Sequence, residues 1–103
     1  MKKSIILALL LFVNILAYAV PSGCYEGSSR THRGRCAIQI SHNVMNITNR
    51  SGEVIARWTI VSDKDGVLTL RSEYGAGATA RWWKEDGKVY LTFNYETYTL
   101  MYD

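Results

Sequence analysis

The sequence predicts an all-β protein: a small antiparallel meander of six to seven short strands closing into a β-barrel or a two-layer sandwich. Three observations carry this. Apolar and polar residues alternate with a period of two along most of the chain, clusters of turn-forming residues separate the alternating runs, and no helical period of apolar residues survives past residue 20. Many short strands joined by tight turns favour barrels and sandwiches, and closure removes the exposed strand edges that make such segments sticky.

The elements follow in order. In Cys36–His42, the residues Cys36, Ile38 and Ile40 share one face, Asn43 offers a break, and Val44–Thr48 continues extended. Asn49-Arg50-Ser51-Gly52 is a turn cluster. Val54, Ala56, Trp58 and Ile60 then line one face of a long strand, against Ile55, Arg57, Thr59 and Val61 on the other. Asp63-Lys64-Asp65-Gly66 reads as a hairpin loop, its glycine supplying the positive φ that such loops need. Leu68 and Leu70 point in from the next strand, and Gly75-Ala76-Gly77-Ala78 reads as a flexible break. Thr79–Lys84 is a further strand, Glu85-Asp86-Gly87 a second hairpin, Val89, Leu91 and Phe93 an inward face, and Thr97–Tyr102 the last strand. Alternation sends Trp82 and Trp83 to opposite faces, one into the core and one outward.

The first nineteen residues read as an export signal. Lys2 and Lys3 form the positive start, Ser4–Val13 the apolar stretch, and Ala17-Tyr18-Ala19 the small-x-small site that signal peptidase requires. Cleavage after Ala19 removes nineteen of 103 residues and leaves 84, a single domain over residues 20–103 with a modest core. An uncleaved anchor is the alternative, but the apolar run is only about 17 residues long and Asn14 interrupts it. No stable membrane span is expected after cleavage. The twin-lysine start points to bacterial export, hence to the periplasm or secretion. A lipid anchor at Cys24 is a further alternative, against which Pro21 stands three residues before the cysteine. Asn46-Ile47-Thr48 and Asn49-Arg50-Ser51 are glycosylation acceptors only in a eukaryotic source.

Cys24 and Cys36 are the only cysteines, an even count in an exported chain, and are expected to form one disulfide. With Lys2 and Lys3 gone, ten basic residues face nine acidic ones, and the formal charge falls from +3 to +1. That is far from the basic footprint of a nucleic-acid binder, so no nucleic-acid partner is expected. Size excludes multidomain enzymes, transporters and dinucleotide-binding folds. No cofactor is implied, and no metal either. His32 and His42 are ten apart, without paired ligand spacing. Asp63-Lys64-Asp65-Gly66 matches only the first half of a calcium loop, whose twelfth position is Tyr74 instead of glutamate. No catalytic residue is assigned. A small secreted nuclease built on His32, Glu26 and Arg33 is the enzymatic alternative.

Gly77-Ala78-Thr79-Ala80-Arg81-Trp82-Trp83 followed by Asp86-Gly87-Lys88-Val89-Tyr90-Leu91 resembles a stretch of the bacterial lysozyme inhibitors. Those proteins form small periplasmic β-barrels in which a loop with serine and a basic residue plugs the lysozyme cleft. The resemblance covers about fifteen residues, and the order of elements and the placing of the disulfide depart from that family. It implies a barrel with an inhibitory loop.

The expected function is therefore that of an exported, non-catalytic β-barrel binding another protein, as an inhibitor, immunity or exclusion factor. The expected binding residues are Arg30, His32, Arg33 and Arg35 in the disulfide-tethered loop, with Arg81 and Trp83 as a second patch. Exposed arginine, tyrosine and tryptophan dominate protein interfaces, and a tethered loop loses less entropy on docking. Charge reversal at Arg33 and Arg35 is expected to weaken binding and spare folding. A lipocalin-like module binding a small ligand or glycan is the alternative. It lacks a Gly-x-Trp opening, Gly23-Cys24-Tyr25 standing there instead. A barrel of this size is expected to be filled by its own side chains.

Overall fold

The computed structural model describes residues 19–102, so the signal-peptide and anchor readings lie almost wholly outside the described residues. Eight strands follow one another: β1 (Gly23–Gly27), β2 (Ile38–Ser41), β3 (Val44–Thr48), β4 (Val54–Lys64), β5 (Val67–Ser72), β6 (Gly77–Glu85), β7 (Lys88–Phe93) and β8 (Glu96–Tyr102). Each pairs antiparallel with the next, and β1 pairs with β8, so the sheet closes as an up-and-down barrel.

The all-β meander holds, with eight strands instead of six or seven, and of the two expected closures it takes the barrel. Two local features explain the count. His42 takes φ 58° and turns the chain between Ser41 and Val44, which are register partners, so the Cys36–Thr48 run becomes a hairpin of β2 and β3. Gly23-Cys24-Tyr25-Glu26-Gly27 carries no apolar alternation, yet it is a strand because both β2 and β8 offer it hydrogen-bonding edges. The flexible break read at Gly75–Ala78 is shorter than expected, since β6 begins at Gly77.

Inward faces match the alternation. Tyr25, Ile38, Ile40, Met45, Leu68, Leu70 and Leu91 are fully buried, and Trp82 joins them while Trp83 faces out. Burying a side chain of this size contributes about 1.5–3 kcal/mol each. The long strand β4 changes phase midway. Ile60 pairs with Leu70 and Ser62 with Thr69, so Val61 is an extra, bulged residue. Without the bulge Ser62 would point inward; with it, Asp63 does. Its Oδ1 accepts the Trp82 Nε1–H at 3.0 Å and its Oδ2 accepts the Val20 N–H at 2.7 Å. Asp63 therefore ends a strand as a core-edge acceptor, and the hairpin loop shrinks to Asp65-Gly66, with φ 55° and 79° as a type I′ turn requires. Gly66 is needed there twice over, because a Cβ would sit 2.7 Å from the Trp82 carbonyl oxygen.

Candidate functional site

Alternate strand direction sorts the connections to two ends. The lower end has minimal turns at His42-Asn43, Asp65-Gly66 and Asp86-Gly87. The upper end carries the long β1–β2 loop, the Asn49–Glu53 turn, the Glu73–Ala76 turn and Asn94-Tyr95. Four of the six most exposed large apolar side chains among the described residues, Val54, Ile55, Tyr74 and Tyr95, stand at this upper end. Tyr95 is wholly exposed and holds φ 68°, a left-handed conformation costly for a residue with a Cβ.

The β1–β2 loop is pinned. The Gly27 N–H bonds to the His32 carbonyl at 3.0 Å, and the Arg33 N–H to the Ser29 carbonyl at 2.9 Å. His32 Nδ1 meets Glu96 Oε1 at 2.9 Å and Ser29 Oγ at 3.1 Å, while the Ser29 N–H donates to Glu96 Oε2 at 3.0 Å. Gly27 makes room for this cluster, since a Cβ on it would collide with both Glu96 Oε2 and His32 Cβ. Burial pushes the Glu96 carboxyl up, but the Ser29 and His32 hydrogen bonds and the His32 charge outweigh it and hold the group below its ordinary range. Burial, helped by the neighbouring Glu96 charge and hydrogen bond, pushes the Tyr98 hydroxyl up to about 12. Glu26 Oε2 accepts the Gly34 N–H at 2.7 Å.

The four loop residues expected to bind thus have different duties. Arg35 is a clamp: Nε donates to the Thr31 carbonyl at 2.7 Å and Nη1 to the Asn49 carbonyl at 2.8 Å, tying the loop to the end of β3. His32 faces Glu96, a partner 64 residues away. Arg30 and Arg33 project into solvent, Arg33 with one contact to the Ser28 carbonyl at 3.3 Å. Arg81 and Trp83 lie on the outer face of β6, and the Trp83 ring stacks on Tyr90 at 5.5 Å. Arg81 reaches the upper-end pocket; Trp83 lies two residues further toward the lower end.

Two members of the trio suggested for a nuclease have other partners. Glu26 is engaged by the loop backbone, and His32 turns to Glu96. Ser29 and Glu96 also meet the same imidazole nitrogen, so the ring does not stand between a hydroxyl and a carboxylate as a proton relay needs. Among the described residues no cluster of three or more His, Cys, Asp or Glu side chains could hold a metal ion.

Cys24 and Cys36 are thiols in this structure and hydrogen-bonding neighbours. Burial, then the Cys24 thiol beside it, pushes Cys36 up to about 12.

The barrel is not filled at its upper end. A pocket of about 720 Å³ lies among Ile47, Ala56, Trp58, Ala80, Arg81 and Phe93. Pairing explains it. β6 bonds to β7 only from Arg81 onward, so residues 77–80 lack a β7 neighbour and the Asn94-Tyr95 turn stands across the gap. Trp58 meets Phe93 edge-on at 6.0 Å, and its buried indole N–H has no partner among the described residues. An unmade buried hydrogen bond costs about 1–3 kcal/mol. Sequence reasoning missed Trp58, Tyr74, Tyr95 and Glu96. Only the tyrosines carried a signal, since both lie in turns, where an aromatic ring is hard to bury.

Fold and site together define a class: a closed eight-stranded up-and-down barrel with one plain and one elaborated end. No protein-family model matches the chain, and no curated protein or solved structure matches it either.

Proposed function

We propose that this chain is an exported, non-catalytic binding protein of the periplasm or extracellular space, whose upper end engages another protein as an inhibitor, immunity or exclusion factor. The observation that supports this is the asymmetry of the barrel. Exposed tyrosines and arginines gather at one end, beside a loop pinned by charge-assisted hydrogen bonds to Glu96, while the other end has the shortest turns a hairpin allows. Tyrosine gives large contact area at small entropic cost, arginine brings a charged, planar fork of donors, and a pinned loop has little freedom left to lose on docking. Arg30, Arg33 and Arg50 stand exposed on the rim beside Glu53 and Glu73, a mixed-charge surface with the arginines in slight excess.

The test uses the chain from Val20 to Asp103 as immobilised bait for envelope extracts and host fluids. A partner retained by the wild type and lost with Arg30→Glu/Arg33→Glu/Tyr95→Ala, at unchanged melting temperature, is the expected result. A partner equally retained by that variant but lost on charge reversal at Lys64, Lys84 and Lys88 places binding at the other end and overturns the reading. N-terminal sequencing of the exported chain tests the cleavage after Ala19.

A further inference from the structure

The upper-end pocket has a chemistry of its own beneath the rim, with which it shares Tyr95. Its walls are mostly apolar, from Ile47, Ala56, Ala80, Phe93 and the Trp58 ring, with Thr79, Thr92 and Asn94 adding neutral polar groups. Its volume, about 720 Å³, falls in the range of small-molecule sites. Among the described residues Arg81 is the only charged one lining it, and no carboxylate does. Trp58 adds a buried indole N–H without a partner. Indole nitrogen donates and cannot accept, so whatever completes it must bring an acceptor atom.

We infer that this pocket binds a small apolar carboxylate, its hydrocarbon body against Phe93 and Trp58, one oxygen accepting from Trp58 Nε1 and the negative charge matched by Arg81. Both polar groups point to the same ligand chemistry from different strands. β4 supplies the donor and β6 the cation, and among the described residues the indole N–H has no hydrogen-bond partner. The missing β6–β7 pairing beside residues 77–80 leaves the way in. A cation of the same shape would meet Arg81 with no compensating acid, and a plain hydrocarbon would leave the indole N–H unpaired.

Decanoate below its micelle concentration is the probe, with decyltrimethylammonium as the matched cation, on the ¹⁵N-labelled chain from Val20 to Asp103. Three indole N–H signals are expected, and Trp58→Phe identifies its own by deletion. Saturable binding of decanoate should move the Trp58 signal downfield more than those of Trp82 and Trp83. Trp58→Phe, which keeps a ring in the pocket, should weaken decanoate about tenfold or more, the equivalent of one lost hydrogen bond. Arg81→Gln, on the exposed face, should weaken decanoate severalfold while the fold is unchanged, so the proposal stays testable even if the Trp58 variant unfolds. No shift of the Trp58 signal at millimolar decanoate overturns the proposal, as a site satisfied by water alone would give. Equal affinity for decyltrimethylammonium, or undiminished decanoate binding in Trp58→Phe, overturns it too.

Discussion

His32 Nδ1 lies 2.9 Å from Glu96 Oε1, joining the tip of the β1–β2 loop to the first residue of β8. Together with the Arg35 clamp on the Asn49 carbonyl, the contact anchors a loop that would otherwise hang from β1 and β2 alone. It also sets a pH dependence. Glu96 is held below its ordinary carboxyl range in the fold, so its stabilising effect is complete above the unfolded pKa, about 4.3, and is lost as pH falls through the lower folded value. Urea unfolding between pH 7 and pH 3 should show stability falling in acid, and Glu96→Gln should flatten that fall. An identical acid slope in the variant would remove Glu96 as its source.

Arg35 and its neighbours should separate cleanly. Arg35→Glu removes donors from the Thr31 and Asn49 carbonyls and should cost about 1–3 kcal/mol in chemical denaturation. Charge reversal at Arg30 and Arg33, both exposed, should change stability by no more than about 0.5 kcal/mol. The expectation that Arg33 and Arg35 could be reversed together without harm to folding is thus corrected: Arg30 and Arg33 are the pair to reverse.

Asp63 predicts an effect of processing. Its Oδ2 accepts from the backbone nitrogen of Val20 at 2.7 Å, the residue that follows the expected cleavage site. In a chain beginning at Val20 that nitrogen is an ammonium, and a charge-assisted hydrogen bond is about twice as strong as a neutral one. The chain beginning at Val20 should melt higher at pH 6 than one that keeps Ala19. Asp63→Asn should abolish the difference, and equal melting of the two wild-type chains would show that the ammonium adds nothing.

Cys24 and Cys36, neighbours here, should join under oxidising conditions and close a loop worth about 3 kcal/mol. Intact mass should show the loss of two hydrogens, and a reductant should lower the melting temperature to that of Cys24→Ala/Cys36→Ala. A reductant without effect on an oxidised sample would mean that the bond strains the native state as much as it constrains the unfolded one. As a thiol, Cys36 is held protonated near neutral pH and should alkylate slowly.

Alternation is a property of neighbouring residues, and so the inward Leu68, Leu70 and Leu91, the turns at Asn49 and Asp86, and the opposite facing of Trp82 and Trp83 were legible in the chain itself. A period of two is also fragile. One bulged residue, Val61, reverses the face of the β4 residues after it, which is why Asp63 looked like a loop residue and proved to be the acceptor for Trp82 and Val20. β1 has no pattern of its own and exists because two edges elsewhere in the chain need a partner. The division of duties among Arg30, His32, Arg33 and Arg35 depends on Glu96 and Asn49, far from them in sequence. The pocket depends on where β7 stops pairing with β6, a matter of register around a closed sheet. What adjacent side chains decide can be read from composition and spacing. What distant backbones decide by sharing hydrogen bonds becomes visible when the barrel closes.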